Sequence, residues 1–99
     1  MTKQVALWVN GESIELDYFV LGFIDHTLDG ILAALEGTGA IKTLDLSIGE
    51  DEQVTINLNN APVSLKLFAS KIIRNTVKGM VSSLKRVNEI NKLEIHLRR

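Results

Sequence analysis

Two hydrophobic periods take turns along this chain, and a fold built of helices alone or strands alone cannot hold both. Val5, Leu7 and Val9 alternate with Ala6 and Trp8, Asn10-Gly11 follows, and Ile14 and Leu16 resume the period of two. That period puts every second side chain on one face of a strand. Asn-Gly between two such runs predicts a hairpin, because both residues tolerate the positive φ of a type I′ turn. From Tyr18 to Glu36 the period changes. Apolar residues now stand at Leu21, Ile24, Leu28, Ile31 and Leu35, the spacing of one helix face. Asp17 precedes this helix where an N-cap belongs, and Gly37-Thr38-Gly39 stops it.

The strand period then returns. Leu44, Leu46 and Ile48 alternate with Thr43, Asp45 and Ser47. After the acidic loop Gly49 to Gln53, Val54, Ile56 and Leu58 alternate with Thr55, Asn57 and Asn59, a second hairpin. Beyond Asn60-Ala61-Pro62, the alternation of Val63, Leu65 and Leu67 predicts a third strand, with proline kept to its start. Ser70 is positioned to cap a second helix from about Lys71 to Val87, whose apolar face is Ile73, Val77, Met80, Leu84 and Val87. After the turn-like Asn88 to Lys92, Leu93, Ile95 and Leu97 alternate as a closing strand. The expected order is ββαβββαβ, an α+β two-layer sandwich with two helices on one face of an antiparallel sheet. If Val63 to Leu67 were helical, the pattern would reduce to a ferredoxin-like βαββαβ core with an added hairpin.

Ninety-nine residues with 45% hydrophobic and 23% charged side chains make one globular domain, residues 1–99, well away from disordered compositions. A core this small leaves a thin stability margin that association would widen. Absence of cysteine excludes disulfides, thiolate metal sites and thiol catalysis. The apolar run Val5 to Val9 is too short for a signal-peptide core or a membrane span, so the expectation is a cytoplasmic chain with no membrane contact. Charge is strongly split: residues 1–52 carry a balance of −8 and residues 53–99 a balance of +7. Opposite-sign surfaces are therefore expected to meet, within one chain or between two copies.

The first helix is wider in apolar surface than one sheet can cover. Val20, Leu21, Ile24, Leu28, Ile31, Leu32 and Leu35 fill one arc opposite Asp25, Asp29 and Glu36, and Phe19, Phe23, Thr27, Gly30 and Ala34 extend it. The apolar surface spans roughly 200°, against the roughly 100° that a helix on one sheet buries. The ordinary cover for that flank is the second helix. The alternative is a two-fold partner over Phe19 and Phe23, with Trp8 a further interface candidate. A chain that stays monomeric with those rings bare to water would remove the interaction reading. Helical Gly22, Gly30 and Gly79 each cost about 1 kcal/mol relative to alanine, and close helix approach at Gly30 and Gly79, inside the fold or across a dimer, would account for it.

Lys71, Arg74, Lys78 and Lys85 line one face of the second helix. Such a stripe is ordinarily a solvated face; it would also suit a contact with Asp25, Asp29 and Glu36, or a polyanion. The like-charged pair Asp25 and Asp29 asks for a nearby cation such as Arg74 or Lys78. Nucleic acid is the lesser alternative, because the sequence pI is about 6.1 and a single tryptophan offers little stacking. The open sheet face should show Thr43, Asp45, Ser47, Thr55, Asn57, Ser64 and Lys66, either as a solvated face or as a shallow polar site.

For chemistry, Asp25-His26 with Asp29 is the nearest approach to a constellation, but helical geometry turns His26 away from both carboxylates, so no metal or other cofactor is expected. His96 points outward on the last strand without a partner legible in the sequence. Dinucleotide, phosphate-loop and nucleophile-elbow motifs do not occur. No catalytic residue is therefore assigned. The leading expectation is a non-catalytic interaction module that self-associates as a dimer, followed by a small-ligand-sensing regulatory domain.

Overall fold

A computed structural model describes residues 4–36, 41–84, 87 and 89–99. The protein is α+β: one open six-stranded antiparallel sheet and two helices. In chain order the elements are β1 (Gln4–Val9), β2 (Glu12–Ile14), α1 (Tyr18–Glu36), β3 (Thr43–Ile48), β4 (Val54–Leu58), β5 (Ala61–Pro62), α2 (Leu67–Ser82) and β6 (Leu93–Arg98). Across the sheet the order is β2-β1-β6-β3-β4-β5. The last strand thus lies between β1 and β3, paired from Gln4 with Arg98 to Val9 with Leu93 on one side and from Thr43 with Arg98 to Ile48 with Leu93 on the other.

Register converts the alternation of each strand into a common face. Leu7, Ile95, Leu46 and Ile56 fall in one row across four strands, and Val9, Leu93 and Ile48 fall in the next. These side chains are buried with Ile24, Leu28 and Leu32 of α1 and Ile73, Val77 and Val81 of α2 in one cluster. Both helices therefore serve the same core.

Two tight turns follow from asparagine chemistry. Asn10 and Gly11 have φ of 54° and 82°, as a type I′ hairpin requires. Asn59 and Asn60 repeat the device at 52° and 68° between β4 and β5, a turn where the sequence alternation predicts strand through Asn59. Asp17 caps α1 as expected, its Oδ1 accepting the Val20 N–H at 2.8 Å. The expected stop at Gly37-Thr38-Gly39 lies outside the described residues.

The segment after Pro62 corrects the expectation of a strand over Val63 to Leu67. β5 is only Ala61–Pro62, and residues 63–66 join no ladder beyond one bond, Val63 N–H to Ile56 O at 2.9 Å. The alternation was real but marks extended chain: Val63 and Leu65 are half-buried against the core while Ser64 and Lys66 are exposed. Proline without a donor at the sheet edge explains the failure to continue. α2 consequently begins at Leu67. Ser70 is inside it, its N–H bonded to Lys66 O, and Lys66 is the N-cap without a side-chain cap bond. The helix ends at Ser82, ahead of the expected Val87, which is buried beyond it.

Asp25 lies on the core side of α1 at 1% exposure, not on its solvent arc. Its Oδ1 accepts Arg99 Nη2 at 2.8 Å, and Arg99 Nη1 reaches Asp29 at 3.2 Å. Burial alone would push the guanidinium down, but the bonds to both carboxylates raise it above its ordinary value. The cation demanded by this carboxylate pair is therefore Arg99, and Arg74 and Lys78 are engaged elsewhere. Arg99→Met should remove the guanidinium from the buried Asp25 carboxylate and lower stability by about 3 kcal/mol in urea unfolding. Adding Asp25→Asn should recover part of that loss.

Candidate functional site

The helix layer presents the first candidate surface. Helical geometry that sends Ile24, Leu28 and Leu32 to the core sends Phe19 and Phe23 sideways, where they are 74% and 52% exposed with ring centroids 6.1 Å apart. α2 does not cover them, so the ordinary expectation for that flank is overturned. Between Phe19 and Phe23 on one side and Met80 and Leu84 on the other lies an apolar groove of about 310 Å³, floored by the buried Ile24 and Val81. The helices stand apart here, and a Cβ added at Gly22, Gly30 or Gly79 would meet nothing within 4 Å. Close helix packing inside the chain is thus not what these glycines serve. Thr27 is half-buried, and Gly30 and Ala34 are exposed along the same helix.

Sequence reasoning missed further exposed apolar side chains on both helices. Tyr18 on α1 and Leu67, Phe68 and Ile72 on α2 are also exposed, Phe68 at 76%. Assigning Leu67 to a strand core hid the pattern: once the helix starts at Leu67, Phe68 and Ile72 are four residues apart on one turn-spaced face. Residues Tyr18–Leu35 also meet the length and composition of a membrane span, with mean hydropathy 1.4. In this fold, Asp25 at its middle is held by Arg99.

The expected basic stripe divides. Arg74 Nε and Lys78 Nζ both bind Glu52, at 3.0 Å and 2.7 Å, while Lys71 is exposed and Lys85 lies outside the described residues. Hydrogen bonding from Lys78 holds the Glu52 carboxyl below its ordinary range. The acidic and basic halves of the sequence therefore meet within one chain.

The open sheet face is the second candidate. Register lays Ala6, His96, Asp45 and Asn57 in one row, with Trp8, Glu94, Ser47 and Thr55 in the next and Arg98 beside Thr43 in a third. Trp8 is half-buried here and not in the core; its ring meets the His96 ring edge to face at 5.1 Å and 86°. His96 has a partner after all: its Nδ1 lies 2.5 Å from Asp45 Oδ1, which also accepts Arg98 Nη1 at 2.9 Å. Desolvation pushes the Asp45 carboxyl up, but hydrogen bonds from His96 and Arg98 outweigh it and hold it below its ordinary range. An ionised Asp45 only accepts, so in this contact the His96 Nδ1–H is the donor. No side-chain hydroxyl among the described residues bonds to His96. The Thr43 Oγ1 is buried without a partner among the described residues. His26 is exposed while Asp25 is buried, and no metal-ligand group of three forms among the described residues.

Folding lowers the pKa of Asp45, so its contribution to stability is complete above the ordinary value of 3.8 and is lost as pH falls through the lower folded value. Urea midpoints should therefore drop on acidification below about pH 4. Asp45→Asn should flatten that part of the profile and change Trp8 emission by releasing the His96 ring. No protein-family model, no curated protein and no solved structure matches this chain, so its sites are read from their own geometry.

Proposed function

We propose that this chain is a non-catalytic interaction module that self-associates, burying the outer face of its helix layer against a second copy. The observation that carries the reading is the exposure of Phe19 and Phe23 beside an apolar groove that nothing within the described chain fills. Water contact at large clustered apolar rings is unfavourable, at about 25 cal/mol per Å² of apolar surface, and such clusters mark interaction sites.

The arrangement supports a two-fold dimer in particular. In the ββαβββαβ two-layer sandwich, one face of each helix serves the sheet and the other faces out. A two-fold axis lets one patch act as both ring and socket: Phe19 or Phe23 of one copy against the Met80 and Leu84 wall of its partner. Methionine at the wall suits such a socket because its flexible thioether adapts to irregular shapes. Gly22, Gly30 and Gly79, open in the single chain, then allow near approach of the partner's helices. The charged groups do not compete for this role, since Arg74, Lys78 and Arg99 already bind carboxylates of their own chain.

Light scattering on purified protein should give twice the chain mass, with the monomer recovered in Phe19→Ser/Phe23→Ser. Both rings lie outside the core, so that variant should keep the far-ultraviolet circular dichroism of its parent. A strict monomer up to about 1 mM, an association weaker than about −4 kcal/mol, would overturn the proposal. Sedimentation of the parent with lipid vesicles, abolished by the same substitutions while the free protein stays monomeric, would replace it with a membrane surface.

A further inference from the structure

A second site lies on the other side of the sheet, at the end where β1 leaves its hairpin and β6 begins. Trp8, Ser47, Lys92 and Glu94, with backbone at Gly11 and Gly49, enclose a notch of about 250 Å³, the volume of about eight water molecules. We propose that this notch binds a small zwitterion of the free α-amino acid class, its carboxylate on Lys92 and its ammonium on Glu94, with its side chain against the Trp8 ring.

Three observations converge on that ligand. Lys92, just ahead of β6, and Glu94, within it, carry opposite charges and both line the notch, yet neither side chain makes an ion pair or hydrogen bond among the described residues. The neighbouring charges of the same face behave differently, for Asp45, His96 and Arg98 satisfy one another. A cation and an anion on the wall of one notch match a molecule whose ammonium and carboxylate are attached to one carbon, whereas a simple acid or amine would leave one of them unanswered.

The second observation is that the walls are fixed. Asn10 Oδ1 accepts the N–H groups of Asn91 and Lys92 at 2.8 Å and 3.1 Å, so the hairpin turn pins the backbone that carries Lys92. The relay Arg98 to Asp45 to His96 ends on the edge-to-face contact with Trp8, which sets the indole as one wall. Asp45 and His96 are positioning residues here and touch no ligand.

The third is the kind of surface assembled. One aromatic wall, a hydroxyl at Ser47 and two opposed charges in a concave site make a few oriented polar groups beside an apolar one, the usual make-up of a small-molecule pocket. The dimer proposal uses the opposite face of the molecule, so either can fail without the other.

Trp8 is the single tryptophan of the chain, so its emission reports on this notch alone. Titration of the intact protein with free L-amino acids should give a saturable change for at least one of them in the millimolar range or below. Binding should weaken by about ten-fold or more in Lys92→Met and in Glu94→Gln, as loss of a hydrogen bond to a charged group implies. The N-acetyl and carboxamide derivatives of the bound amino acid should weaken to the same degree. Both variants should unfold at the parent's temperature, since neither side chain holds the fold. No saturable response to any free amino acid would overturn the proposal. So would equal binding of the capped derivatives, of acetate or of methylamine, or undiminished binding by both variants.

Discussion

Everything else in this fold depends on β6 lying between β1 and β3. Without it the sheet falls into a two-stranded hairpin, β1-β2, and a separate three-stranded piece, β3-β4-β5, and an isolated hairpin is marginal in water. With it, Leu93, Ile95 and Leu97 fill the middle of the buried face and join Leu7 and Val9 to Leu44, Leu46 and Ile48. The same strand arranges both faces at once, because its alternate residues Glu94, His96 and Arg98 stand at the centre of the open side. Arg99 follows directly and ties α1 to the sheet through Asp25. One strand thus sets the core, the polar platform and the position of the first helix.

Charge is distributed to suit this plan. The acidic first half and the basic second half neutralise each other through a few contacts, Arg99 with Asp25 and Asp29 and Arg74 and Lys78 with Glu52. Exposed pairs of this kind contribute little individually, roughly 0 to 1 kcal/mol, whereas Asp25 is fully buried and depends on its partner. Their consequence is greater for the surface than for stability. The helix layer is left with rings and glycines where unpaired charge would otherwise oppose apolar contact, and on the sheet face Lys92 and Glu94 form no ion pair among the described residues, beside the paired Asp45, His96 and Arg98.

Elements with strong periodicity were legible from residues alone. The strands around Val5, Leu44, Val54 and Leu93 and the helix at Tyr18 come from patterns in which each second, or each third and fourth, residue is apolar. Asp17 and Asn10-Gly11 mark their positions by local hydrogen bonding and φ preference. What local pattern could not carry was adjacency. Asp45 and His96 are 51 residues apart and meet because β3 and β6 are neighbours; Arg99 and Asp25 are 74 apart. The segment Val63 to Leu67 shows the converse limit, since extended chain packed on a core alternates as a strand does, and the proline before it decides that no ladder forms. That one misplacement moved the start of α2 and concealed Phe68 and Ile72.

Pairing of Gln4 with Arg98 joins residues almost the full length of the described chain apart. Helices and the two tight hairpins close over short spans and form on the microsecond scale, but the central pairings must first overcome the entropy of a very large loop. High contact order of this kind slows folding toward the millisecond-to-second range. During that interval β1 and β3 each present an unpaired edge, so the rate at which β6 docks governs how long the chain is open to intermolecular strand pairing.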